Sequence, residues 1–263
     1  MSNVPIYSKE DYEGMRKAGG LASDILDYIT DFVEPGVSTG YLDDICYKMI
    51  KENNAIAAPL GYYGYPKPTC ISVNHVVCHG IPSYTKILKE GDILNIDVTV
   101  IVNGYYGDSS RMYYAGKPTV KGRRLTECTY DCMMLGIEQV KPGNTLGDVG
   151  YAIQTCAEKQ GFSVVRDFCG HGLGKKFHDE PQVLHYGKKG KDLVLKEGMF
   201  FTIEPMINAG RYEVIVSKLD GWTATTRDKS LSAQFEHSLA VTSDGFEIFT
   251  LSKKGFTLPP YKK

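Results

Sequence analysis

The chain is predicted to fold as an α+β protein made of two related halves. Two observations carry this. Helical periodicity followed by strand alternation occurs twice in the same order. The landmarks also keep one offset: Pro35 and Pro142, Gly36 and Gly143, Gly91 and Gly198, and Asp97 and Glu204 are each 107 residues apart.

In the first half, Ser8 with Asp11 resembles a capping box, and Met15, Ala18, Ala22, Ile25, Ile29 and Phe32 then recur at steps of three and four. That spacing predicts an amphipathic helix. Glu34-Pro35-Gly36 stops it, and Thr39 is expected to cap a second helix carrying Leu42, Ile45, Cys46 and Met49. A hairpin follows in ILNIDVTVIVNGYYGDSSRMYY, with Asn103-Gly104 as its two-residue turn. Counting outward from that turn sets Val102 opposite Tyr105 and Thr99 opposite Asp108. Asp97 then shares a face with Asp108, diagonally across the strands, with Cβ atoms about 7 Å apart. That face is polar (Asn95, Asp97, Thr99, Asp108, Ser110), and Leu94, Ile96, Val98 and Val100 supply the apolar one.

In the second half, Leu125, Cys128, Cys132 and Leu135 mark a third helix ended by Lys141-Pro142-Gly143. Thr145 opens a fourth through Val149, Ile153 and Cys156. LKEGMFFTIEP repeats the layout of LKEGDILNIDV, so Glu204 ends a buried strand where Asp97 sits in the first copy. In SAQFEHSLAVT, Gln234, Glu236 and Ser238 alternate with Phe235, His237 and Leu239, placing Glu236 inside a strand. A pseudo-twofold axis is expected to join the halves into one antiparallel sheet with helices on one side. A single domain spans 1–263, with halves of about 8–117 and 118–250.

Composition excludes several classes. With 42% apolar residues, 23% charged residues and a net charge of -1, nothing global draws the chain to nucleic acid or anionic membrane. Seven cysteines without framework spacing suit a reducing compartment, and Cys128 with Cys132 reads as packing on an apolar stripe. The start of the chain lacks a signal-peptide pattern, and no apolar run approaches the ~20 residues of a membrane span. A cytoplasmic location is expected. Lys188, Lys189 and Lys191 form a solvated basic loop.

The acids need compensation. Burying Asp97, Asp108, Glu204 and Glu236 unpaired costs several kcal/mol each, and two divalent cations would offset four negative charges. CGHGLGKKFHDEP adds His171 and His178 in a glycine-rich loop, and His79 in VVCHGIP is a further neighbour. One imidazole among carboxylates favours manganese, iron(II), cobalt or zinc in a paired site over a structural zinc.

These residues, within NIDVTV, GDSS, GHGLGKKFH, TIEP and FEHS, resemble the five metal ligands of type I methionine aminopeptidases, and the resemblance covers nearly the whole chain. It implies the pita-bread fold and removal of the N-terminal methionine from nascent proteins and peptides with a small second residue. Asp97 and Asp108 from one half and His171 and Glu204 from the other would hold two divalent ions (cobalt, manganese, iron(II) or zinc), with Glu236 bridging. His79, His178 and Glu204 would be catalytic: the histidines on the scissile amide, Glu204 as proton shuttle. Tyr62, Tyr65, Cys70, Phe177 and Trp222 would line the methionine pocket beside His79 and His178. Pro59 departs from the cysteine many bacterial members carry there. Asn74, Val76 and Ser232 match positions that hold a monovalent cation through backbone oxygens. Nascent polypeptide N-termini are the implied partners of a monomer that binds neither membrane nor DNA, and the lysine loop is a candidate for transient ribosome contact.

GVSTG has a nucleophile-elbow spacing but joins two helices instead of following a strand. A pita-bread binding module without peptidase activity is the alternative, and its signature would be loss of one or more of the five ligands.

Overall fold

The computed structural model describes residues 4–261; residues 1–3 and 262–263, the ends of the expected domain, lie outside the described residues. Helix α1, Lys9–Ile29, starts at the expected box, with the Ser8 amide donating to Asp11 Oδ2 at 2.8 Å. It buries Met15, Ala18, Ala22, Ile25, Leu26 and Ile29, while Phe32 falls in a short 3-10 turn after it. Helix α2, Thr39–Glu52, corrects one expectation: Ser38 is the cap, accepting from the Tyr41 amide at 3.1 Å. Thr39 Oγ1 is occupied instead with the main chain of Ser83, accepting from its amide at 2.9 Å and donating to its carbonyl at 3.1 Å.

The 107-residue offset is a structural repeat. Helix α3 spans Val120–Ile137, and α4, Leu146–Lys159, begins and ends 107 residues after α2. The buried stripe of α1 reappears on α3 at Gly122, Leu125, Thr129, Cys132, Met133 and Gly136, each at the same offset. The isolated bridge between Ser38 and Ile87 likewise returns between Thr145 and Val194. Each helix pair covers its own core. In the first half Ile25, Leu26, Leu42, Cys46 and Ile50 pack on Leu94, Ile96, Val98 and Val100. In the second half Leu125, Cys132, Val149 and Ile153 pack with Phe201, Ile203, Leu239 and Val241. Full burial of such side chains is worth roughly 1.5–3 kcal/mol each, so each half has its own source of stability. Gly107 sets the approach of α1 to the hairpin, since a Cβ there would lie 2.1 Å from the main chain of Ala18.

All strand pairings are antiparallel among the described residues. The central layer is divided more finely than a single sheet. The long hairpin Asp92–Val102 and Tyr105–Ala115 anchors a four-stranded sheet. A five-stranded sheet of the second half runs in the order 246–248, 237–241, 200–203, 170–172, 179–183. The two meet at one bridge, Ser110 to Glu236, where the Glu236 amide donates to the Ser110 carbonyl at 3.0 Å. Ser109 Oγ donates to the Glu236 carbonyl at 2.8 Å, and Ser238 Oγ to the Asp108 carbonyl at 2.6 Å.

Both second-half acids stand where the chain changes sheets. Strand Phe200–Ile203 pairs with His237–Val241, but after Glu204-Pro205 the chain continues as Met206–Asn208, paired with Ser232–Gln234 in a small three-stranded sheet. Pro205 has no N–H to continue a ladder. Glu236, expected inside a strand, sits at the matching break between Gln234 and His237.

Candidate metal centre

The first half supplies its acids by register. Val102 faces Tyr105 and Thr99 faces Asp108, as counted from the turn. Asn103 and Gly104 both take the positive φ that such a turn requires. Thr99 Oγ1 donates to Asp108 Oδ1 at 2.7 Å, and Asn95 Nδ2 reaches across the seam to the Gln234 carbonyl at 2.8 Å. The main chain of Asp97 is paired on both sides, against Cys70 and Ser110. Its Oδ1 is buried without a hydrogen-bond partner.

The second half places its candidate ligands by side-chain scaffolding. Thr202 Oγ1 accepts from the His171 amide at 3.0 Å and donates to Glu204 Oε1 at 2.7 Å, fixing both groups from one hydroxyl. Gln234 Nε2 donates to Glu204 Oε2 at 3.2 Å, and the Glu204 amide donates to His185 Nε2 at 3.1 Å. His171 Nδ1 lies 3.1 Å from the Gly172 carbonyl, which can only accept, so the proton of the neutral ring belongs on Nδ1. Its Nε2 lone pair then points at carboxylate oxygens of Asp108 and Glu204, each 3.6 Å away.

Lone pairs converge on lone pairs here. Burial first, and the neighbouring carboxylates second, raise Asp97, Glu204 and Glu236 well above the ordinary carboxyl range. Burial pushes Asp108 up to about 7 against the hydrogen bond from Thr99. Burial lowers His171 to about 3, so its ring brings no compensating charge. Donor atoms of Asp108, His171 and Glu236 lie within 4.8 Å of one another, with Glu204 against His171 and the orphaned Oδ1 of Asp97 nearby. The donor set fits divalent cations, which would pair with the imidazole lone pair, offer the orphaned oxygen a partner and remove the repulsion that burial amplifies.

The acids lie in the wall of a cavity of about 620 Å³. Tyr62, Tyr65, Cys70, Phe177 and Trp222 line it, as does Pro59. Trp222 meets Tyr65 edge-on at 5.2 Å, and Phe177 lies 4.8 Å from Tyr62. His178 stacks on Phe177 at 4.2 Å, and its Nδ1 lies 2.8 Å from the Tyr62 hydroxyl. His79 holds a left-handed backbone conformation, φ 54°, and packs edge-on to Phe168 and Trp222. Burial lowers His79 to about 4 and also lowers His178. Both rings are neutral at pH 7 and each keeps one N–H.

The three positions considered for a monovalent cation lie outside this wall. The Ser232 amide donates to the Asn74 carbonyl at 2.8 Å, and Val76 begins the adjoining strand Val76–Cys78. The Asn74 side chain is taken up by the Ile93 amide and Asp92, leaving main-chain oxygens as the available donors. Sequence reading missed the residues that hold the ligands: Thr202, Gln234 and His185. Thr202 was detectable, since it precedes Glu204 by two residues, whereas Gln234 reaches Glu204 from another strand. His185 has no local signal, because it reaches Glu204 only through tertiary packing.

Fold and site together define a hydrolase of the metallopeptidase type: paired halves closing on buried acids and one imidazole, beneath an aromatic cavity. Residues 13–243 match metallopeptidase family M24. The chain is 62% identical over 258 residues to the methionine aminopeptidase of Rickettsia prowazekii, covering 98% of this chain and 99% of that protein. It is 54% identical to the methionine aminopeptidase of Escherichia coli over 97% of both chains. A crystal structure of methionine aminopeptidase from Thermotoga maritima superimposes with a TM-score of 0.92 at 38% identity, covering 94% of this chain and 99% of that one. The chain belongs to family M24 and, within it, to the bacterial type I methionine aminopeptidases. It is a metal-dependent aminopeptidase.

Proposed function

We propose that the chain, acting as one catalytic unit, removes the N-terminal methionine from nascent proteins and peptides whose second residue is small. The observation that carries this reading is the convergence of Asp108, His171 and Glu236 within 4.8 Å, in the wall of a cavity shaped by Tyr65, Phe177 and Trp222. Asp97, Asp108, His171, Glu204 and Glu236 would hold two divalent cations, of cobalt, manganese, iron(II) or zinc. When bound, the cations acidify water and polarise the scissile carbonyl.

The remaining work falls to this chain's own groups. Glu204, braced by Thr202 on one oxygen and Gln234 on the other, moves a proton from the attacking water to the leaving amine. His178, tied to Tyr62 at Nδ1, presents Nε2 to the cavity, and neutral His79 faces it from the opposite half. Their placement suits hydrogen bonds to the scissile amide and to the oxygen on which charge develops. The aromatic wall takes the thioether side chain, which is soft and polarisable. A bulky second residue would collide with the crowded acids.

Nascent N-termini are the substrates. The exposed loop of Lys188, Lys189 and Lys191, folded against the start of α4, supplies a basic surface for transient ribosome contact. No described helix is long and apolar enough to cross a membrane, and we place the monomer in the cytoplasm. A monovalent cation held by main-chain oxygens of Asn74, Val76 and Ser232 completes the reading. The test is an assay of Met-Ala- and Met-Lys-initiated peptides with metal-free protein reconstituted by each divalent ion in turn. Methionine should be released from the first peptide only, and chelation should abolish release. A folded, metal-loaded protein that releases none would favour a binding module.

A further inference from the structure

Away from the catalytic cavity, α3 and α4 bring three cysteines together. Cys128 and Cys132 lie one turn apart on α3 with sulfurs 3.8 Å from each other, and Cys156 of α4 completes a set whose sulfurs are all within 4.8 Å. The four other cysteines are elsewhere: Cys46 is in the first-half core, and Cys70, Cys78 and Cys169 line the catalytic cavity. The internal repeat provides a control for packing. At the equivalent positions, 107 residues earlier, stand Leu21, Ile25 and Met49, so apolar side chains fill this helix interface in the other half. Packing by itself does not call for three thiols here.

We propose that Cys128, Cys132 and Cys156 form a second metal site, a three-thiolate centre for a soft ion such as Zn²⁺, Cd²⁺ or Cu⁺. A zinc–thiolate bond of about 2.3 Å places bound sulfurs about 3.8 Å apart in tetrahedral geometry and about 4.0 Å apart in a plane, so the Cys128–Cys132 pair is already at ligand spacing. Thiolates select soft ions, whereas the carboxylate centre favours harder ones. Cys128 and Cys132 are buried, but Cys156 opens on a cavity of about 570 Å³ lined by Tyr151, Lys159 and Gln160, which gives an ion a way in. Gln160 Nε2 lies 4.0 Å from Cys156 Sγ, within reach of a bound thiolate as a donor. Binding breaks three S–H bonds, forms three S–metal bonds and releases three protons to solvent; no electrons are transferred.

The test is a Cd²⁺ titration of the Mn²⁺-saturated protein under a phosphine reductant, following the ultraviolet thiolate-to-cadmium absorption and proton release. We expect the band to saturate at about one equivalent, to survive in Cys70→Ser/Cys78→Ser/Cys169→Ser, and to vanish in Cys128→Ser/Cys132→Ser/Cys156→Ser. Absence of the band, its persistence in the second variant, or its loss only in the first overturns the site. If the triple variant does not fold, Cys156→Ser alone should weaken Cd²⁺ binding by at least about tenfold while leaving the metal-free unfolding midpoint in place. Unchanged affinity in that variant overturns the proposal as well.

Discussion

The two halves reach the same centre by different means. In the first, an eleven-residue strand pairs with another of the same length, and the alternation of an unbroken ladder aims Asp97 and Asp108. In the second, strands of three to five residues break at Glu204-Pro205 and before Glu236, and side-chain hydrogen bonds from Thr202 and Gln234 fix Glu204. Regular pairing makes the direction of an acid robust and fixed. An acid at a break can instead turn away from the pleat, and Glu204 then needs Thr202, Gln234 and His185 to hold it.

The sharpest test of that division is Glu204→Gln, which keeps the shape and removes the base. The catalytic efficiency kcat/KM on a Met-Ala peptide should fall by about 10²–10⁴-fold, with the fold retained by circular dichroism; a loss below tenfold would put the shuttle elsewhere. His185→Leu tests the scaffolding. It leaves the buried Glu204 amide without an acceptor, so stability should drop by about 1–3 kcal/mol in urea unfolding. Activity should fall with it.

Asp43 distinguishes the halves by pH. It is buried in α2 where the equivalent of α4 is Gly150, and burial raises it to about 6 despite hydrogen bonds from Thr69 and the nearby Lys67 ammonium. Its unfolded value is about 3.9. Between these values the native state binds more protons than the unfolded one, so this group's contribution falls as pH rises from about 4 to 6 and stays at its lowest above. The difference in unfolding free energy between wild type and Asp43→Asn should therefore change by about 2–3 kcal/mol across that window and be flat above it. A flat difference throughout would show that Lys67 and Thr69 cancel the burial. The smallest effect is expected from Gly104→Ala, about 1 kcal/mol of stability, with activity per folded molecule unchanged because the register is set along the whole hairpin.

Much of this was legible before any coordinates. Asn103-Gly104 fixed the pairing of Thr99 with Asp108, and the 107-residue echo anticipated α4 from α2, because turn chemistry and helical periodicity are local properties. The expectation of a strand interior for Glu236 did not hold, since alternation is identical on either side of a break and only the partner strands reveal the change of sheet. Thr39 lost its capping role to Ser38 for the same kind of reason: Ser83, 44 residues away, engaged its hydroxyl.

By itself the sequence determined two helix-helix-strand units, the face that carries Asp97 and Asp108, and the acids and imidazoles available for chemistry. Tertiary structure alone decided that the seam between the sheets falls at Ser110 and Glu236, that Thr202 serves His171 and Glu204 together, and that three thiols meet between α3 and α4. The physical reason is range. Propensity, capping and alternation act over a few neighbours along the chain, whereas a cluster of ligands forms only when segments a hundred residues apart are buried against one another.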